Sequence, residues 1–376
     1  MINSLFLFRF SKKALKAINI IINRLSFIEK PFYFYKQYYY WEKKDINRAA
    51  SVNLPELSNA TKKKIASFWG KYFSDQVSDT YYRTIAYVQG GEPDNLHLFV
   101  SPYIMFTHLI NILNPPTVVK SFSEKLLFPL LFPAVRQPKT IVGFYNGLYI
   151  SNNYQPISLQ EAIDTILEYR KPIIFKQSID SLGGKGVELI EKYDEDLLIS
   201  IFESRKKNFI VQEVIEQSPD IAKLNKSSLN TLRILTLLLN GKCTVTAKML
   251  RHGCSGATID NISSGGYGVG IDDEGTLTYA ASDTQFLKND THYSGTKYCS
   301  YKIPNFSLVC ETAIKMHHFT PQCHFIAWDF ALDTHNQPVL IEANFFHPGV
   351  SLPQIVGGKP IFDDRTFEVL DYCFKK

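Results

Sequence analysis

The chain has 376 residues, 45% of them hydrophobic and 20% charged, with a formal net charge of +5. That balance is ordinary for a soluble globular protein, excludes a disordered chain, and suits one large domain or two to three smaller ones. The charge is uneven, because residues 1–72 hold 14 Lys/Arg against 4 Asp/Glu, a basic arm of +10 ahead of a body of −5. Six cysteines, Cys243, Cys254, Cys299, Cys310, Cys323 and Cys373, form no CxxC pair. Reduced thiols in a cytosolic protein are therefore expected, and zinc is not. The short apolar patch Leu5 to Phe8 is interrupted by Arg9, Lys12 and Lys13, so neither a secretory signal nor a spanning helix is expected.

In chain order, the first element is a basic amphipathic helix over 12–27, with Leu15, Ile18, Ile21, Ile22 and Leu25 at helical spacing. The aromatic run FYFYKQYYYWEKK (32–44) and Lys62 to Lys64 follow. The arm reads either as a helical segment packed on the body or as a peripheral membrane contact. No nucleic-acid-binding motif accompanies its charge. Residues 102–112 and 122–132 read as helical, with short strands near 140–150. A helix over 158–171 opens with a capping box, Ser158 and Glu161.

The stretch IIFKQSIDSLGGKGVELI (173–190) reads as strand, loop, strand. Gly183, Gly184 and Gly186 would let the backbone approach a phosphate, with Lys176 ending the first strand and Lys185 in the loop. It fits neither GxxxxGK[ST] nor GxGxxG, so an ordinary hairpin turn stands beside the phosphate reading. FIVQEVIEQ (209–217) is a strand that breaks into polar residues. SSLNTLRILTLLL (227–239) is a buried strand interrupted by Arg233, which needs an anionic partner, either a structural carboxylate or a substrate phosphate. A strand over 243–251, the polar glycine-containing loop IDNISSGG (259–266) and a helix over 305–318 come next.

The last pair of strands, 324–332 and 338–344, reads as a hairpin around Thr334 to Gln337. With that loop Asp333 would face Pro338 and Asp329 would face Glu342, their Cβ atoms about 4.5–5.5 Å apart. Asn344 would share the face. Three oxygen-bearing side chains at this spacing suit Mg²⁺. A solvated carboxylate pair at an exposed strand end is the alternative, disfavoured by the flanking Trp328, Phe330, Leu340 and Ile341.

In this order, lysine strand, glycine loop, Gln-Glu, arginine strand and Asp … Glu-x-Asn, the elements resemble the ATP-grasp superfamily. More narrowly they resemble the sugar-transfer-associated ATP-grasp family over about residues 120 to 355. The resemblance implies an α+β fold of two subdomains clasping ATP, and the helical basic N-terminal extension lies outside the matched stretch. The divisions expected are an arm at 1–75, an α/β lead-in at 76–170, a nucleotide-binding subdomain at 171–215 and a C-terminal subdomain with the Mg²⁺ site at 216–376. It implies that Lys125 and Lys176 hold ATP phosphates beneath a loop of Gly183, Gly184, Lys185 and Gly186. Gln212, Glu213 and the backbone near Ile215 would meet the adenine. Asp329, Glu342 and Asn344 would hold Mg²⁺, and Arg233 would face the transferred phosphate. Asn230, Arg251, Asp260 and Asn261 would serve the acceptor side.

The reaction implied is an ATP- and Mg²⁺-dependent carboxylate–amine ligation through an acyl-phosphate, in surface glycan biosynthesis. Its carboxylate would be a uronic-acid-containing glycan and its amine an amino acid. A phosphotransferase of the same fold and a non-catalytic nucleotide-binding scaffold are the alternatives. The motif tail NFFHPG departs from the family, placing Phe345, Phe346 and His347 before Pro348-Gly349. His347 would touch substrate or pack.

Overall fold

The structure, a computed structural model, describes residues 40, 43, 52–74, 77–179, 186–205, 208–254, 256, 265–282 and 288–375. The helix expected over 12–27, the loop residues Gly183, Gly184 and Lys185, and Asp260 and Asn261 lie outside the described residues.

Among the described residues two six-stranded sheets, whose named strands all pair antiparallel, organise the fold. The first runs in the order β3-β2-β1-β6-β4-β5, built from β1 (Thr140–Tyr145), β2 (Leu148–Ser151), β3 (Pro156–Ile157), β4 (Ile173–Gln177), β5 (Glu188–Ile190) and β6 (Phe209–Glu213). It takes in residues on both sides of the division expected at 170, because β6 pairs with β1 as well as β4. Pairing between strands that far apart leaves no mark in local periodicity. Helices at Leu159–Tyr169 and Glu195–Ser204 bury Ala162, Ile163, Ile166, Leu198 and Phe202 against one face of this sheet, meeting Ile173, Phe175 and Val211. The first of these helices begins at the expected capping box: Glu161 N–H donates to Ser158 Oγ (3.2 Å), and Ser158 N–H donates to Glu161 Oε2 (2.7 Å). Lys176 alternates with Phe175 along β4, so its side chain leaves the helix-covered face.

The second sheet runs β10-β9-β8-β7-β11-β12, from β7 (Thr231–Leu239), β8 (Lys242–His252), β9 (Tyr267–Ile271), β10 (Leu277–Ser282), β11 (Phe325–Leu332) and β12 (Pro338–Asn344). The sequence reading missed β9 and β10. On one face Leu232, Ile234, Leu250 and Trp328 pack against the helix Phe306–His317 through Val309, Ala313 and Met316. On the other, Leu235, Leu237, Met249, Phe325 and Ala327 meet a helical layer built from both ends of the described chain, including Trp69, Ile85, Leu109, Ile355 and Leu370.

The helix Asn59–Trp69 belongs to that layer, burying Ile65, Phe68 and Trp69, while Lys62 pairs with Glu56 and Asp79. Residues Leu96–Leu113 are long and apolar enough to cross a membrane, but 72% of that stretch is buried inside this core.

The hairpin that closes the second sheet reaches the expected pairing by another route. Asp333 N–H donates to Gln337 O (3.0 Å), and Asp333 Oδ1 accepts from the N–H groups of His335 (2.9 Å) and Gln337 (3.0 Å). Asn336 takes the left-handed conformation, φ 58°. The turn is thus one residue longer than expected at its first strand, and Leu332, not Asp333, faces Pro338. A slip of one residue would turn every later side chain to the wrong face. A bulge compensates: Phe330 faces Leu340, Asp329 faces Glu342, and Ile341 is the extra residue between.

Candidate active site

The bulge sets three sequence-selected residues on neighbouring register positions. Asp329 lies opposite Glu342 on one side and Arg233 on the other, and Ala327 lies opposite Asn344. Asp329 is only 1% exposed. Arg233 grips it with two parallel bonds, Nε to Oδ1 and Nη2 to Oδ2, both 2.8 Å. Asn344 Nδ2 donates to Oδ2 (3.2 Å), and Arg251 Nη2 stands 3.3 Å from the same oxygen. Burial alone would push the Asp329 carboxyl up, but the two arginine charges and the bonds from Arg233 and Asn344 outweigh it and hold it below the usual carboxylate range. Arg251 is oriented by Thr231, whose Oγ1 accepts from its Nε (2.9 Å) and Nη2 (2.8 Å).

Glu342 faces the first sheet. Its Oε1 lies 2.9 Å from Lys125 Nζ, an ion pair that links β12 to the segment ahead of the first sheet. Lys125 sits in the short helical turn Lys125–Leu127, which is tied to the end of β4: Lys125 N–H donates to Ser178 O (3.0 Å) and Ser178 Oγ donates to Glu124 Oε2 (3.2 Å). That tie brings Lys125 beside Lys176, two residues before Ser178. Burial, together with the Lys125 charge, lowers the Lys176 amine to about 8, and Glu342 acts in the opposite direction. Glu124 and Ser178 escaped the sequence reading. The visible signal was an acidic residue directly before the expected phosphate lysine.

The motif tail packs on Arg233. Gly349 has φ +66°, and a Cβ there would sit 2.9 Å from Arg233 Nη1. Only a glycine lets this turn come so close in that conformation. The His347 ring lies 5.4 Å from Phe106 and 4.6 Å from Phe346. Phe106 belongs to a π-helical segment, Met105–Leu109, inside the helical stretch that precedes Asn114. Buried Asn114 fastens that helix to the site, its Nδ2 donating to Phe325 O and Phe345 O, both 2.6 Å.

Other candidates have different partners. Glu213 Oε1 accepts from Lys139 N–H (3.0 Å) and lies 3.9 Å from Arg136, which also pairs with Asp333 (2.6 Å) across the two sheets. Gln212 Nε2 donates to Thr140 Oγ1 (3.2 Å) and Pro138 O (3.3 Å). Ile215 packs with Ala331 and Val339, with Leu229 and Ile341 alongside, continuing the Asp329 row as an apolar floor. Asn230 is buried and braces the 217–230 loop, its Nδ2 donating to Asn225 O (2.8 Å), Gln217 Oε1 (3.0 Å) and Ile221 O (3.0 Å). Gly186, at φ 79°, stands at the root of the glycine loop. A cavity of about 320 Å³ lies beside the 126–140 segment, lined by Leu126, Phe132, Pro138, Thr140, Ser151 and Tyr154. None of Lys125, Lys176, Arg233, Asp329 or Glu342 lines it.

Among the described residues no three His, Cys, Asp or Glu cluster to hold a metal. The third donor here is an amide. Asp329, Glu342 and Asn344 offer oxygen ligands on one face, without nitrogen or sulfur, a donor set that fits a hard cation such as Mg²⁺.

The sequence profile of the sugar-transfer associated ATP-grasp family matches residues 105–368. The chain belongs to that family. The fold of this sugar-transfer associated ATP-grasp protein is accordingly the ATP-grasp fold, in the α+β class. No curated protein matches it. Among solved structures it is similar to the VanG D-Ala:D-Ser ligase from Enterococcus faecalis, with 14% identity, TM-score 0.39, and coverage of 67% of this chain and 61% of that one. It is also similar to the D-alanyl-alanine synthetase A from Vibrio cholerae, with 12% identity, TM-score 0.38, and coverage of 70% and 65%. An L-amino acid ligase from Bacillus licheniformis gives 12% identity, TM-score 0.38, and coverage of 70% and 48%. The chain spans less than two thirds of the length of each.

Proposed function

We propose that this sugar-transfer associated ATP-grasp protein is an ATP- and Mg²⁺-dependent carboxylate–amine ligase acting in surface glycan biosynthesis, joining an amino acid amine to a uronic-acid carboxylate. The observation that carries the proposal is the convergence of Lys125, Lys176, Arg233 and Arg251 on Asp329, Glu342 and Asn344 where the two sheets face each other. Asp329, Glu342 and Asn344 would hold Mg²⁺, which when bound neutralises phosphate charge.

The chain's own residues do the rest. Lys125 and Lys176 are cations at the end of the first sheet, suited to hold phosphates. The apolar floor of Ile215, Ala331 and Val339 suits a flat base, whose edge Glu213 and the backbone near Ile215 would meet. Arg233, fixed in direction by Asp329 and pressed by Gly349, presents its remaining N–H groups to a phosphoryl group moving onto a carboxylate. An amine then attacks the acyl-phosphate carbonyl carbon and phosphate leaves. The work is positioning and charge stabilisation, so no nucleophilic side chain is needed.

An ADP-release screen over sugar acids paired with amino acids tests this. The proposal expects ADP only when both substrates are present and an amide product by mass spectrometry. ADP release with a single acceptor and a stable phosphorylated product would assign a phosphotransferase instead. ATP binding without turnover across the screen would leave a scaffold.

A further inference from the structure

We infer that Lys125 is a place-holding cation for Glu342, so that the metal face accepts a divalent ion only together with the nucleotide. This rests on the ATP-dependent reading of the same site and concerns what happens before ATP arrives.

Each acidic residue of the face already has an internal cation. Asp329 has Arg233 on both oxygens and Arg251 at 3.3 Å, and Glu342 has Lys125 at 2.9 Å with Lys176 acting on it by charge. Four cations thus meet two carboxylates. Adding Glu124, held behind Lys125 by Leu126 N–H (3.2 Å) and Ser178 Oγ, still leaves the described group net positive. A bare divalent ion approaching it is repelled and must break an ion pair that is shielded from water on the lysine side.

The two pairs are not equivalent. Arg233 holds Asp329 through two bonds in a fixed fork, with 12% and 1% side-chain exposure, and Gly349 closes over it. Lys125 meets Glu342 at one oxygen, 2.9 Å away, from the end of a flexible stem rather than a fixed fork, and Glu342 is 29% exposed. Lys125 is therefore the exchangeable partner. A triphosphate supplies the anion that takes Lys125 and Lys176 away from Glu342, and this frees the carboxylate oxygen for the ion that travels with the phosphates. The arrangement makes Lys125 a positioning and selectivity residue: it bars free divalent ions and favours the metal–nucleotide complex.

The test titrates Mn²⁺ alone, read by loss of its free-ion EPR signal, into the full-length wild-type protein, Lys125→Met and the double variant Lys125→Met/Glu342→Gln. Calorimetry of a non-hydrolysable ATP analogue, with EDTA and with Mg²⁺, runs alongside. Wild-type protein is expected to bind Mn²⁺ alone at least tenfold more weakly than Lys125→Met, and Glu342→Gln is expected to erase that gain. Lys125→Gln serves the same comparison should Lys125→Met not fold by circular dichroism. Equal Mn²⁺ affinity in wild type and the Lys125 variants, or a gain that survives Glu342→Gln, overturns the inference. Absence of analogue binding under both conditions overturns the ATP reading instead.

Discussion

Asp329 and Glu342 face each other across one hairpin, yet replacing them should have different consequences. Asp329 is 1% exposed and anchors two arginines and an amide, whereas the Glu342 side chain is 29% exposed and meets one lysine. Asp329→Ala leaves Arg233 partly buried and unpaired, which costs about 3–5 kcal/mol. Glu342→Ala leaves Lys125, 9% exposed, without this anion, but the flexible lysine stem can turn its charge toward solvent, so the cost should be smaller, about 1–3 kcal/mol. Both should lower ADP release by about 100-fold or more if each helps hold charge on the transferred phosphate. Urea unfolding midpoints and ADP release, measured on the same preparations, separate the effects. The double variant Asp329→Ala/Arg233→Met removes the stranded charge and should recover at least about 1 kcal/mol of the single variant's loss. Equal destabilisation by Asp329→Ala and Glu342→Ala, or a double variant no more stable than Asp329→Ala, would refute the reasoning.

Three further outcomes are expected. His317 and His252 are both lowered to about 4, chiefly by burial. The unfolded chain then takes up protons first, so stability is full above about pH 6.5 and falls as pH drops toward 4, by about 2 kcal/mol per histidine at pH 5. Urea unfolding at pH 7 and pH 5 should show this, and His317→Gln should shrink the difference. Lys176, at about 8, is charged below that pH, so affinity for ADP measured by calorimetry should decline as pH rises from 7 to 9, and Lys176→Arg should flatten the decline. Gly349→Ala places a Cβ 2.9 Å from Arg233 Nη1 at φ +66° and should cost about 1–3 kcal/mol in thermal unfolding while slowing ADP release more than it changes ADP affinity.

Local chemistry made much of this legible. The apolar runs in Phe325–Leu332 and Pro338–Asn344 on either side of a polar turn identified both strands of the acidic hairpin, and Ser158 with Glu161 marked a helix start that the structure keeps. The Asp329–Glu342 pairing was expected and is observed, but through a longer turn and a bulge at Ile341 that no spacing count reveals. Asx bonding by Asp333 and the left-handed Asn336 decide the turn, and only the need to keep one face buried selects the compensating bulge. Strands β9 and β10 were missed because Tyr267–Ile271 is short and glycine-broken, and it becomes a strand by pairing with the end of β8.

The sequence by itself determined which residue types could do the chemistry: an arginine in an apolar strand, two carboxylates and an amide at strand spacing, and lysines ahead of a glycine loop. Tertiary structure decided which of them meet. Lys125 reaches Glu342 because its backbone is bound to Ser178 at the end of β4, and Arg233 reaches Asp329 because β7 and β11 are neighbours, 96 residues apart in the chain. It also decided that Asp329 is buried with its own cations while Glu342 is partly exposed beside Lys125. Such assignments depend on strand order and burial, which arise from packing between distant segments and have no period that a single stretch of sequence can carry.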